Sequence, residues 1–234
     1  MSRILTKQEW IRRKRIKRAV MLLFIFVLFI SIIGISVYLV RNLLSDGLSL
    51  NRNTTEVLSD NLLKGIEIKQ SFLTPNEYSR PQKPLKKVAG IVIHYTANPG
   101  TSADNNRSYF EGLAETGATS VSSHFIIGME GEIVQCIPMT EVAYASNNRN
   151  DDTISIECCH PDKTGEFTSD TYDSLVSLTA ALCVEYNLKE EDVIRHYDVT
   201  GKPCPLYYVD HEDMWTAFKD DVMKKAAVLK VESK

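Results

Sequence analysis

The chain has 234 residues, 44% of them hydrophobic and 24% charged, which suits one core-forming domain with extra segments but not two large domains. Its net charge of −3 hides an asymmetry: residues 1–40 hold eight basic groups and one acid, a balance of +7, which leaves −10 for the remainder. A nucleic-acid binder carries its positive charge on the folded body, so that class is excluded and no nucleic-acid partner is expected.

The basic head, residues 1–18, precedes an apolar run. Ala19 to Val40 reads AVMLLFIFVLFISIIGISVYLV, without one charged residue, and spanning a bilayer core takes roughly 20 residues. Lys and Arg lie before it and few follow, which places the N-terminus in the cytoplasm and the body outside the cell. The alternative is a cleaved signal, but such a region is usually about 7–15 residues long and ends at small residues. Val-Tyr-Leu-Val-Arg-Asn is a poor cleavage site. A core helix is not apolar on every face, so the expectation is an uncleaved single-pass anchor at the cell membrane.

Residues 41–87 are polar, and Pro75, Pro81 and Pro84 oppose a helix there. They read as an extracellular stalk to about residue 65, then a leading segment in which IEIKQSFL alternates like a short edge strand. From Val88 the texture changes. VAGIVIHY is a continuous β-branched run, the pattern of a strand buried on both faces. Asn105 to Glu115 predicts a helix with Tyr109, Phe110 and Leu113 on one side. SHFIIG and EIVQCI flank Met-Glu-Gly and predict a hairpin. TISIECC is another buried strand, and residues 169–187 show helical spacing of apolar side chains. DVIRHY is a short strand ending in His196, and Asp210 is placed to cap a last helix to about Lys225, with Trp215 and Phe218 inward. Interleaved strands and helices predict an α/β fold over 88–230: a single domain with a central mixed β-sheet flanked by helices, preceded by the transmembrane helix. The five cysteines are too few for a dense disulfide framework, and adjacent Cys158 and Cys159 should face opposite sides of a strand.

Several residues could carry chemistry. His94 closes an apolar strand, where ligands gather in open α/β sheets; a hydrogen-bonded core histidine is the competing reading. His196 also ends a strand, and Cys204 follows after a loop containing Gly201 and Pro203, so the two can converge. Imidazole and thiolate are ligands that zinc prefers, and three protein ligands leave one position open, the mark of a catalytic site. A disulfide or loop cysteine is the alternative. Glu157 lies within an apolar strand, where a carboxylate is costly unless paired or facing a polar site. A general base would explain it, and so would a buried ion pair with Arg195. Lys202, two residues before Cys204, is either an oxyanion-stabilising cation or a solvated loop lysine.

IVIHYTANPG, SSHFIIG, TISIECCHPD and VIRHYDVTGKPCP, in this order and over about 88–220, resemble the type 2 N-acetylmuramoyl-L-alanine amidases. These zinc amidases include phage endolysins, bacterial autolysins and the catalytic peptidoglycan recognition proteins. IEIKQSFLTPNEYSRP is similar to the leading segment of the autolysin branch. The resemblance implies a zinc-dependent hydrolase of peptidoglycan that cuts the amide between N-acetylmuramic acid and L-alanine. It implies zinc ligands at His94, His196 and Cys204, a catalytic lysine at Lys202 and a catalytic glutamate at Glu157. One position departs: other branches carry a catalytic tyrosine where this chain has Ser123, which favours the glutamate-based variant. The family's Trp-His pair falls on Tyr144 and Ala145, to which no catalysis is assigned. His124 is placed near the site, binding substrate or serving the structure. Two rivals stand beside the amidase reading: a non-catalytic peptidoglycan-binding module, whose members typically lack the cysteine ligand, and a cysteine hydrolase built on Cys204.

Overall fold

A computed structural model describes Leu63 and residues 65–232. The predicted anchor, 19–40, and nearly all of the stalk lie outside the described residues. Among the described residues, no helix is long and apolar enough to cross a membrane.

Six strands form one mixed sheet: β1 (Ile68–Gln70), β2 (Ile91–Tyr95), β3 (Phe125–Ile127), β4 (Ile133–Gln135), β5 (Ile154–Cys158) and β6 (Val193–Arg195), in the order β1-β4-β3-β5-β2-β6. Only the β3–β4 pair is antiparallel; it is the predicted hairpin. The remaining neighbours run parallel. Five helices complete the domain: α1 (Ala103–Thr116), α2 (Ser169–Glu185), α3 (His196–Thr200), α4 (Leu206–Asp210) and α5 (Glu212–Glu232).

Side-chain parity sorts the sheet into two faces. Ile91 and Ile93 of β2, Phe125 and Ile127 of β3, and Ile154, Ile156 and Cys158 of β5 join Leu175, Leu178 and Leu182 of α2 and Trp215, Phe218 and Val222 of α5 in one core. Ile126, Val134, Cys136, Ile137 and Cys159 form a second core under Phe110 of α1. The sheet is thus covered on both faces, as the continuous apolar strands require. Cys158 and Cys159 do divide between the two, and all five cysteines are buried and free.

Cap chemistry sets the helix starts. The Ser102 side chain accepts from Asn105 N–H, and the Asn105 side chain returns a bond to Ser102 N–H, satisfying two orphan donors of α1. Gly117, at φ 58°, closes that helix in the left-handed region. Thr168 caps α2 by accepting from Thr171 N–H.

The structure differs from the sequence expectation at three places. Tyr109 is 55% exposed: the buried stripe of α1 is Ala103, Asn106, Phe110 and Leu113, and one residue along a helix is a turn of about 100°. His196 begins α3 instead of ending β6. Asp210 ends α4, whose Tyr208 packs edge-on against Trp215, and the last helix starts at Glu212 and runs to Glu232.

The leading segment lies on the domain. Leu73 is buried, and Arg80 holds Glu141 through two bonds, Nε to Oε2 at 2.9 Å and Nη2 to Oε1 at 2.8 Å. The third arm of the guanidinium donates to the Leu73 carbonyl. Such fork geometry is the strong form of an ion pair.

Candidate active site

Parity places the chemistry. Because Ile91 and Ile93 face α2 and α5, His94 faces the other way; because Ile154, Ile156 and Cys158 do the same, Glu157 does too. His94 and Glu157 are register partners on adjacent parallel strands. Both meet a cleft of about 440 Å³ that is also lined by His196, Lys202 and Cys204. α1 packs over β3 and β4, away from this corner of the sheet.

His196 and Cys204 are brought together by the loop between them. Gly201, at φ 77°, ends α3 and donates to the Tyr197 carbonyl. Tyr197 N–H in turn donates to the Cys204 carbonyl at 2.9 Å, which closes the loop. Arg195 anchors its start: the guanidinium pairs with Asp198 at 2.8 Å and Glu212 at 2.6 Å. Arg195 is therefore committed elsewhere and is not the partner of Glu157.

One potential ligand atom from each of His94, His196 and Cys204 lies within 4.8 Å of the others. All three residues are buried. Cys204 Sγ is 3.8 Å from His94 Nδ1. Two ligands of a tetrahedral zinc, with bonds of about 2.3 Å to sulfur and about 2.0–2.1 Å to nitrogen, lie about 3.6 Å apart. The donor set and its spacing fit zinc. Burial disfavours the charged form of these groups. It holds the His94 imidazole well below its ordinary range, reinforced by His196 and Lys202. It pushes the Cys204 thiol up to about 12, with Glu157 adding to the effect. A divalent ion would supply the charge that makes the thiolate favourable.

Glu157 Oε2 is shielded from solvent and has no hydrogen-bond partner. Burial lifts its pKa to about 8, opposed by the Lys202 ammonium. A carboxyl that exchanges its proton near neutrality suits general acid–base work. Lys202 is exposed on the loop but lines the same cleft.

His124 is not brought to the cleft. It is 1% exposed, its Nδ1 accepts from Ser155 N–H at 3.0 Å, and its Nε2 reaches the Glu141 carbonyl at 2.9 Å. Both ring nitrogens are used to pin β3 to its surroundings. Ser123 is buried as well, bonded to the Phe125 and Ser155 carbonyls.

Sequence reasoning missed Ser146 and Asn147, which touch the two histidines: Ser146 Oγ is 3.2 Å from His94 Nε2, and Asn147 Oδ1 is 2.9 Å from His196 Nε2. It also left Tyr95, Thr119, Ser120 and Val121 out of the cleft wall. The only local signal was Asn147-Asn148, a pair suited to a tight turn.

The family described as N-acetylmuramoyl-L-alanine amidase matches residues 84–206, more than half of the chain. The chain belongs to this amidase family. CwlL of Bacillus licheniformis, an N-acetylmuramoyl-L-alanine amidase, is 36% identical over 170 residues, covering 67% of this chain and 47% of CwlL. BlyA of Bacillus subtilis (strain 168), an amidase of the same name, is 34% identical over 176 residues, covering 66% of this chain and 46% of BlyA. The chain thus spans about half the length of these relatives. Among solved structures, PlyL superposes with a TM-score of 0.58 at 27% identity, covering 67% of this chain and 97% of PlyL. The catalytic domain of XlyA gives 0.58 at 26%, covering 67% of this chain and 99% of that domain. The amidase-family domain therefore corresponds to nearly the whole of those two structures.

Proposed function

We propose that this amidase-family domain is a zinc-dependent enzyme that hydrolyses the amide bond between N-acetylmuramic acid and L-alanine in peptidoglycan. The observation that carries the reading is the convergence of His94, His196 and Cys204 beside Glu157, whose Oε2 is buried without a hydrogen-bond partner. His94, His196 and Cys204 would hold the ion through imidazole nitrogen and thiolate sulfur. Bound zinc supplies a Lewis acid for the lactyl carbonyl. Glu157 takes a proton from the attacking water as oxygen adds to the carbonyl carbon. It passes that proton to the alanine nitrogen as the carbon–nitrogen bond breaks, so that an amine leaves and a carboxylate remains. The Lys202 ammonium, at the cleft wall, stabilises the negative charge that gathers on the carbonyl oxygen.

The test is digestion of purified cell wall by the full-length chain, with product termini identified by mass spectrometry. New L-alanine amino termini, abolished by Cys204→Ser and by chelation, are expected. Cleavage elsewhere, or cleavage that survives chelation, would overturn the reading.

The proposal extends to location. The uncharged run Ala19–Val40, after eight basic groups, supports an anchored enzyme with its domain on the outer side of the membrane, in reach of the wall.

A further inference from the structure

Each of the two histidines at the proposed metal site makes a hydrogen bond through Nε2, and both partners come from one dipeptide. His94 Nε2 meets Ser146 Oγ at 3.2 Å, and His196 Nε2 meets Asn147 Oδ1 at 2.9 Å. Consecutive side chains on extended backbone point to opposite sides. Here the backbone turns at Asn147, whose φ of 52° lies in the left-handed region that asparagine tolerates better than most residues. The turn is built for this. Asn150 Oδ1 accepts from both Ala145 N–H at 3.0 Å and Ser146 N–H at 2.6 Å. Asn150 N–H returns to the Asn147 carbonyl at 3.2 Å, and Arg149 N–H to that of Ser146 at 2.9 Å.

The bonds also choose the ring nitrogens. An amide oxygen only accepts, so His196 Nε2 must carry the proton, which leaves Nδ1 with its lone pair. For His94, the nitrogen facing Cys204 is Nδ1, at 3.8 Å, so Nε2–H is the donor to Ser146. Each ring is then left with an unprotonated Nδ1. Ser146 is 1% exposed, which keeps water from competing for that bond.

We propose that Ser146 and Asn147 are positioning residues that fix the tautomer and orientation of His94 and His196 for metal binding. The inference rests on the zinc reading above and adds two residues to it. Outer partners of metal-bound histidine typically contribute 10–100-fold to affinity.

The test uses the full-length chain, with zinc affinity read by chelator competition and cobalt(II) absorption as the spectroscopic probe. Ser146→Ala and Asn147→Gly should each weaken zinc binding by about 10–100-fold and shift the cobalt spectrum. Glycine keeps the positive φ, so the metal-free chain should unfold at the parent's temperature. Asn147→Asp retains the acceptor and should hold affinity within a few-fold of the parent. Zinc affinity within about twofold of the parent in both deletions, with Cys204→Ser binding no metal, overturns the positioning role while the zinc reading stands. A loss in metal-free stability that Asn147→Asp does not recover also overturns it. If the parent itself binds no zinc, or Cys204→Ser binds as tightly, the zinc reading fails and this inference fails with it.

Discussion

Glu157 occupies the one place on β5 where a carboxylate can reach the histidine pair without entering the core under α2 and α5. Glutamine has nearly the same shape but cannot take up a proton, so Glu157→Gln should retain zinc and fold while turnover drops about a hundredfold or more. A fall of less than about threefold would make the residue structural. His196→Ala should behave differently, losing zinc and activity together, because two protein ligands make too weak a site; metal content by mass spectrometry separates the two cases. His124 gives a stability effect. Burial pulls its pKa down to about 4, against the pull of the Glu141 carbonyl. The unfolded chain, with an ordinary imidazole, binds the proton first as pH falls below 6.5. Stability is therefore full above that pH and declines toward pH 4, by up to about 3 kcal/mol from this residue. Urea midpoints measured across that window should fall less steeply in His124→Gln than in the parent, and equal slopes would show that the ring does not carry the effect.

At the scale of elements, α5 shares with α2 the core on one face of the sheet. Phe218 is 0% exposed and stacks on Trp215 at 5.3 Å between centroids, with Tyr172 edge-on at 6.0 Å. Phe218→Ala should cost about 3–5 kcal/mol, whereas Ser102→Ala, which removes one arm of the α1 capping box, should cost about 1 kcal/mol. Chemical denaturation measures both. Neither change touches the cleft on the other face, so metal stoichiometry should persist in the folded fraction of each. A Phe218→Ala cost no larger than that of the cap would mean that α5 is not a principal support of the sheet.

For the whole molecule, Leu73, Arg80 and Leu85 are bound into the domain, so the stretch available between the proposed anchor and the folded body is about 41–65. An enzyme held beneath its polymer gains local concentration without a new contact. Removal of residues 1–40 should leave activity on soluble wall fragments unchanged and lower activity per molecule on intact cells. Fractionation provides the check: after expression of the full chain, a product recovered from the medium with its first residue near position 41 would identify the run as a cleaved signal and end the tethering proposal.

The strands and most helices were legible in the residues themselves, because β-branched runs such as IVIHY and periodic segments such as 169–185 carry their own burial pattern. The convergence of His94, His196 and Cys204 was legible for a similar reason: His94 lies near a strand end, His196 directly follows a strand, Cys204 follows the turn at Gly201, and the ordered motifs resemble one family. What the sequence left open were matters of pairing between distant segments. Arg195 could have met Glu157 but is taken by Asp198 and Glu212. His124 could have faced the cleft but spends both nitrogens on Ser155 and Glu141. Ser146 and Asn147 carried no motif at all, since their significance is a pair of bonds to residues 52 and 49 positions away. Local pattern fixes which face a side chain occupies, but a buried polar group takes whichever partner the packed chain brings within about 3 Å, and only the tertiary structure decides that.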